Sequence, residues 1–142
     1  MMPKKTLKAR STNDCGIACL AMLLDQTYND VYDTTMIYFG LLGREFNGID
    51  EKDDKAIAAV YNKKIKLWHV NDTNRATIWK RLKGRRAILC VPAYGSDGYT
   101  DQKWHGVYWD GYKVYDPSPA HRYGKDGRRA KKGLFKVSVL DE

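Results

Sequence analysis

The feature that most constrains the fold is the run Cys15–Leu24 (Cys-Gly-Ile-Ala-Cys-Leu-Ala-Met-Leu-Leu), which is apolar on nearly every side. An α-helix of this composition has no polar face to turn toward water, so the rest of the chain must bury it. Residues 11–14 (Ser-Thr-Asn-Asp) are of the types that cap helix N-termini. The sequence therefore predicts a buried central helix with Cys15 at or just inside its first turn.

The order of the remaining patterns indicates the fold class. Helical patterns cover about 30–42, 51–61 and 73–82, with a short strand pattern at 65–70. Strand patterns follow at 87–92, 104–109, 112–116 and 134–140. Helices followed by antiparallel strands are typical of α+β folds. We predict one domain, residues 1–142, in which N-terminal helices pack on a C-terminal antiparallel sheet.

Charge and cysteine content narrow the class of function. The net charge of +8 lies mainly in two basic clusters, at 4–10 and 125–132, and is typical of a solvated surface or of an acidic partner. Nucleic acid is the less favoured partner, because the chain has no zinc-finger spacing, RNA-recognition motif or phosphate loop. Three cysteines without a disulfide pattern, no membrane segment and no secretory signal predict a cytoplasmic protein, and the small size suits a bacterial or phage origin.

A predicted β-hairpin places a histidine beside a carboxylate. With Asp110 and Gly111 as the two loop residues, His105 lies directly opposite Asp116. Side chains in such positions have Cβ atoms about 4.5–5.5 Å apart, although a bulge would change the pairing. A carboxylate next to an imidazole fixes its tautomer and stabilises the imidazolium form. We interpret His105 as a general base and Asp116 as the group that orients it.

The predicted helix supplies a nucleophile for this pair. A thiol at a helix N-terminus is held partly as the thiolate, and the backbone N–H groups there can donate to an oxyanion. Cys15 is therefore the predicted nucleophile, and Gly16 and Trp104 are the predicted substrate-binding residues. Taken singly, each of these residues has a simpler interpretation as a structural residue. Cofactors are not expected.

The other cysteines and histidines have structural interpretations. Cys19 and Cys90 lie in apolar segments and are predicted to be buried core residues, and His69 and His121 have no evident partner. A zinc site needs about four ligands at suitable spacing, and these residues do not provide them. We predict no metal site.

Two segments carry a resemblance to a known family. Asn13–Leu24 (Asn-Asp-Cys-Gly-Ile-Ala-Cys-Leu-Ala-Met-Leu-Leu) resembles the nucleophile helix of the bacteriocin-processing cysteine peptidases, which belong to the papain-like group. His105–Pro117 (His-Gly-Val-Tyr-Trp-Asp-Gly-Tyr-Lys-Val-Tyr-Asp-Pro) resembles the histidine strand and Asp-Pro motif of that family. The resemblance implies a papain-like fold, a Cys-His-Asp triad and hydrolysis of a peptide bond, for example at a Gly-Gly leader site.

One position departs from the family pattern and leaves alternatives open. The family carries a Gln before the nucleophile that helps to form the oxyanion hole, and Ala9 stands near that place here. Arg10 and Asn13, with Ser11, are the candidate replacement donors; loss of one such donor costs about 10²–10³ in rate. The sequence predicts a hydrolase that cleaves a peptide or isopeptide bond through a thioacyl-enzyme. The alternatives are a deamidase or acyltransferase with the same triad, or a weak or inactive module that binds a peptide or protein partner.

Overall fold

The elements of the chain form a mixed α+β structure. The computed structural model describes residues 15–92, 104–117 and 133–142. In these ranges it contains four helices and five strands, which are α1 (Cys15–Leu24), α2 (Tyr28–Leu41), α3 (Glu51–Val60), β1 (Lys64–His69), α4 (Arg75–Leu82), β2 (Ala87–Pro92), β3 (Trp104–Trp109), β4 (Val114–Tyr115) and β5 (Lys136–Asp141). The strands form one antiparallel sheet in the order β1-β5-β2-β3-β4. The prediction of an α+β chain is confirmed.

Helix α1 is buried as its composition predicts. Every residue from Ile17 to Leu24 is buried, and the helix packs on α2, on α3 and on strands β2 and β3. Burial of one large apolar side chain contributes about 1.5–3 kcal/mol, so this helix supplies much of the driving force for folding. No helix in the described ranges is long and apolar enough to cross a membrane.

The sheet has a core on each face, because side chains alternate along its strands. In β2, Ile88 joins the core formed with α1, α2 and α3, whereas Leu89 joins a second core with α4. The indole Nε1 of Trp109 donates to the carbonyl oxygen of Leu82 at 2.9 Å, which fixes the end of α4 against β3. The first core holds α1 against the sheet and so positions Cys15.

Helix boundaries differ from the predicted ones by a few residues, and capping explains the differences. Helix α2 begins at Tyr28 because the side chain of Thr27 accepts a hydrogen bond from the N–H of Asp30. Helix α4 begins later than predicted because the Asn71 side chain accepts from the backbone N–H of Thr73 and holds that segment as a turn. Local polar side chains therefore set both starts.

The C-terminal end of α1 is bound by a buried arginine. Arg86 donates to the carbonyl oxygens of Met22 at 3.0 Å and Leu23 at 2.6 Å, and to the hydroxyl of Tyr108 at 2.9 Å. The last carbonyls of a helix have no partner within the helix, and a cation there also complements the helix dipole. Arg86 thus ties α1 to the sheet, at the end of the helix opposite Cys15.

The hairpin between β3 and β4 has a different register from the predicted one. The sequence pattern places Trp109 opposite Tyr112, whereas the structure pairs Trp109 with Val114. The prediction that Asp110 and Gly111 form the two-residue loop is therefore wrong. The turn runs from Asp110 to Lys113, closed by a hydrogen bond from the Asp110 N–H to the Lys113 carbonyl.

The side chain of Asp110 explains the shifted turn. Its carboxylate accepts from the backbone N–H groups of Tyr112 and Lys113, each at 2.8 Å. Gly111 has φ of +107° and so occupies the first central position of the turn, which requires a residue without a Cβ. An aspartate that caps its own turn has displaced the Asp-Gly loop by one residue along the chain.

Candidate active site

The structure brings together the predicted histidine and carboxylate. Nε2 of His105, on β3, lies 2.7 Å from Oδ1 of Asp116, just after β4. The two residues are only 2 % and 5 % exposed. In the shifted register they are diagonal rather than directly opposite neighbours. A shift of two residues preserves the alternation of side chains, so both remain on one face and within reach.

Cys15 interacts electrostatically with this pair. It is half-buried at the first described residue of α1, and it lines the same cavity as His105. Burial lowers the pKa of His105, but hydrogen bonds with Asp116 and Cys15, and the negative charges of both, outweigh burial and raise this pKa to about 9. The surroundings of His105 therefore favour its imidazolium form at neutral pH.

The two other cysteines are set apart by their surroundings. Cys19 is fully buried on α1, and burial raises the pKa of its thiol well above the ordinary value. Cys90 lies on β2 at the cavity wall, and burial raises its pKa to about 12. A thiol that stays protonated is a poor nucleophile. Cys19 and Cys90 are therefore poor candidates for a nucleophile at neutral pH.

A cavity of about 460 Å³ opens beside Cys15 and His105. It lies between the start of α1, the start of α3 and strands β2, β3 and β5. The lining residues that matter to its chemistry are Cys15, Gly16, Arg44, Ile49, Asp50, Glu51, Asp53, Asp54, Cys90, His105, Lys136 and Ser138. This volume suits a substrate side chain with its adjoining backbone.

Gly16 forms part of the cavity wall. A Cβ atom added there would lie 3.2 Å from Cβ of Ile49, which is closer than ordinary van der Waals contact. The absence of a side chain therefore lets the segment before α3 approach the start of α1. Gly16 brings this wall to the nucleophile, and its predicted contact with substrate stays a prediction.

The start of α3 brings several carboxylates to the cavity. Asp50 and Asp53 form a capping box, in which each side chain accepts from the backbone N–H of the other at 3.0 and 3.1 Å. Asp53 also accepts from Nη1 of Arg44 at 3.2 Å and from the hydroxyl of Tyr38 at 2.9 Å. These two acids are thus held by the helix end and by Arg44.

Asp54 is a candidate functional residue that the sequence analysis missed. It is 8 % exposed and lines the cavity. Burial, and then the charges of neighbouring Asp53, Asp50 and Glu51, raise the pKa of its carboxyl well above the ordinary value. The helical spacing of Asp54 with the buried residues Ile57 and Ala58 is the signal that could have identified it.

Several predicted residues fall where the structure gives no side-chain description. The candidate oxyanion donors Arg10 and Asn13 lie outside the described residues, as do both basic clusters and His121. The backbone of Trp104 begins β3, but its side chain lies outside the description. His69 ends β1 and is exposed.

Comparison of the chain with protein-family models, with curated proteins and with solved structures finds no match. We infer the function from the chemistry of the cavity. Among the residues that the structure describes, no three His, Cys, Asp or Glu side chains are grouped so that they could hold a metal ion.

Proposed function

We propose that the protein is a papain-like cysteine hydrolase that cleaves a peptide or isopeptide bond with Cys15, His105 and Asp116. The observation that carries the proposal is the 2.7 Å hydrogen bond between His105 and Asp116, in a pair whose imidazole also interacts with Cys15 at a cavity wall. The papain-like fold is part of the proposal. It is supported by a helix that presents the cysteine and packs on the antiparallel sheet that presents the histidine.

The first half of the reaction forms a thioacyl-enzyme. The Cys15 thiolate attacks the carbonyl carbon, a C–S bond forms, and the carbonyl oxygen takes the negative charge. The tetrahedral intermediate then collapses, the C–N bond breaks, and the His105 imidazolium gives its proton to the leaving amine. Asp116 keeps the ring oriented and stabilises its charged form. Because Nε2 of His105 is bonded to Asp116, the proton that passes to the amine is the one on Nδ1.

The second half releases the acid. A water molecule attacks the thioester carbon while the now neutral His105 takes a proton from that water. The C–S bond breaks, the carboxylic acid leaves, and the Cys15 thiolate and His105 imidazolium are restored. Backbone N–H groups at the start of α1 are the proposed oxyanion donors, with Arg10 and Asn13 as candidates beside them.

The thiol content suits a reducing compartment. Cys15, Cys19 and Cys90 are all free. Disulfides are uncommon in the cytoplasm, where thiols are kept reduced, and a thiolate nucleophile needs that state. We therefore propose a cytoplasmic enzyme whose partner is its peptide or protein substrate.

The direct test is a search for turnover and for the covalent intermediate. Wild type and Cys15→Ala are incubated with a proteome-derived peptide mixture, and new termini and acid-quenched adducts are read by mass spectrometry. We expect cleavage with wild type, and a hydroxylamine-sensitive acyl adduct on Cys15. Both should be absent from Cys15→Ala. Wild type that yields neither a product nor an adduct would contradict the proposal.

A binding module is the second candidate function, favoured by the presence of Ala9 near the place of the family's Gln. A chain of this kind would hold a peptide in the cavity without cleaving it. Capture of intact peptides by wild type and Cys15→Ala alike would favour this candidate. Conversion of glutamine to glutamate, or transfer of an acyl group to an added amine, would instead identify the deamidase or acyltransferase variants of the triad.

A further inference from the structure

The cavity wall is rich in acidic residues, whereas the whole chain is basic. The protein has 25 Lys and Arg residues against 17 Asp and Glu, a net charge of +8. The cavity beside Cys15 has four acidic residues in its wall, Asp50, Glu51, Asp53 and Asp54, against the bases Arg44, His105 and Lys136. A carboxylate in a cleft that is not neutralised by a base of its own attracts a cationic ligand.

Three of the four acids have evident structural roles. Asp50 and Asp53 cap α3, and Arg44 pairs with Asp53. Glu51 forms an ion pair with Lys136, the first residue of β5. Acidic residues in the first turn of a helix also stabilise it through the helix dipole. Arg44 and Lys136 are thus each engaged with an acid of their own.

Asp54 shares the first turn of α3 with Glu51 and Asp53, but its carboxyl neither caps the helix nor pairs with a base in the described ranges. More than nine-tenths of the residue is buried, and within the described part of the chain no hydrogen bond or ion pair to its carboxyl is found. Burial of a carboxyl group without a partner is costly, and it is tolerated where a ligand supplies the partner. The group lies in the wall of the cavity that Cys15 also lines.

We propose that Asp54 and the carboxylates beside it form the subsite for an organic cation of the substrate, the ammonium or guanidinium group of a lysine, an arginine or an amino terminus. That this cation belongs to a substrate rests on the proposed function. An organic cation is favoured over a metal ion, because among the described residues no three ligating side chains are grouped around one point.

The chemistry of binding is an exchange of one cation for another. In the empty cavity, burial and the neighbouring carboxylates raise the pKa of Asp54 and so favour the protonated form of its carboxyl. A ligand ammonium or guanidinium supplies a counter-ion, the carboxyl releases its proton to water, and an ion pair with charge-assisted hydrogen bonds forms. No net charge is added to the site, which keeps the cost of burial small.

The test measures the charge preference of the cavity through Cys15 itself. Aminoethyl methanethiosulfonate is cationic, and methyl methanethiosulfonate is neutral. With either reagent the Cys15 thiolate attacks the thiol-side sulfur, an S–S bond forms, and methanesulfinate leaves with the electron pair. Rates are normalised to those of a small free thiol. We expect the ratio of cationic to neutral rates to be about fivefold or more higher in wild type than in Asp54→Asn.

Matched variants make this test specific. Asp33→Asn removes an exposed carboxylate on α2 and should leave the ratio at the wild-type value. Asp54→Glu keeps a carboxyl group and should restore part of the preference. Equal ratios in wild type and in folded Asp54→Asn would overturn the proposal.

A second measurement needs no variant and covers a failure of Asp54→Asn to fold. Butylammonium should protect Cys15 of wild type from the neutral reagent, whereas butanol at the same concentration should not; equal effects of the two would overturn the subsite. Neither assay requires turnover. A charge preference without any hydrolysis would therefore reject the hydrolase and keep the subsite, whereas hydrolysis without a preference would do the reverse.

Discussion

At the scale of single residues, the protonation state of His105 determines what the site can do. The ring is held at Nε2 by Asp116, and its pKa is raised to about 9 by this bond and by Cys15, against the opposing effect of burial. A raised pKa means that the folded state binds the proton more tightly than the unfolded state does. The imidazolium therefore stabilises the fold as well as serving the proposed chemistry.

The titration of His105 reports its coupling to Asp116. The C2–H resonance of its ring should titrate near pH 9 in wild type, and at lower pH in Asp116→Asn because one stabilising partner is lost. The stability that this proton contributes is fully present below the unfolded pKa of 6.5 and is lost as pH rises through about 9. His69→Ala serves to assign the spectrum. Titration of His105 near 6.5 in both proteins would show that the pair is not coupled.

Two glycines in helices provide a matched pair of substitutions. Gly16→Ala places a Cβ 3.2 Å from Ile49 and should lower the free energy of unfolding by about 1–3 kcal/mol. Gly40→Ala, on α2, meets no atom within 4 Å and should stabilise the protein by about 0.5–1 kcal/mol. Urea unfolding of both variants checks the prediction. Equal effects of the two substitutions would show that the approach of Ile49 to Gly16 is not tight.

At the scale of elements, local patterns predicted which elements form but not all of their contacts. The apolar run predicted α1, and the helical pattern over 51–61 predicted α3. The predicted hairpin register was wrong because the side chain of Asp110 accepts from the backbone of its own turn. The sequence pattern alone does not distinguish this turn from a loop of Asp110 and Gly111. Arg86 was missed because it binds carbonyls 63 and 64 residues away, and no local pattern reports such a contact.

Arg86, which binds the last carbonyls of α1, should contribute measurably to stability. Arg86→Met removes a buried cation and leaves two helix carbonyls and the Tyr108 hydroxyl without their donor. The free energy of unfolding should fall by about 2–4 kcal/mol. Arg86→Lys should recover only part of this loss, since an ammonium cannot serve three acceptors with the geometry of a guanidinium. A change below about 0.5 kcal/mol in Arg86→Met would contradict this account of how α1 is held.

At the scale of the whole molecule, the predicted site could be assembled from sequence only in part. The cysteine helix and the histidine hairpin each have a local signature, and the fold brings Cys15 and His105 to one cavity, with Asp116 bonded to His105. The carboxylate-rich wall could not be predicted, because it depends on α3 packing beside α1 and β5. Helical spacing puts Asp54 on the face of α3 that carries Ile57 and Ala58, but only the tertiary structure shows that Asp54 lines the cavity.

Burial of the Asp54 carboxyl should cost stability, although the same carboxyl forms the proposed subsite. A carboxyl whose pKa is raised on folding contributes stability at low pH, and this stability is lost as pH rises through the folded pKa. Asp54→Asn should therefore gain more stability relative to wild type at pH 8 than at pH 4. Urea unfolding at the two pH values measures the difference, with the exposed Asp33→Asn as control. A gain that is the same at both pH values would contradict a proton-linked origin.

The central claim, that Cys15 is a nucleophile activated by His105, is tested most directly by the rate of iodoacetamide labelling. Each cysteine is quantified by mass spectrometry after short exposure, in wild type, in His105→Ala and in the exposed-histidine control His69→Ala. Burial keeps Cys19 and Cys90 as thiols, so the account predicts selective labelling of Cys15 in wild type and His69→Ala. In His105→Ala this labelling should slow about tenfold or more at neutral pH. Labelling of Cys15 at the same rate with and without His105 would contradict the claim.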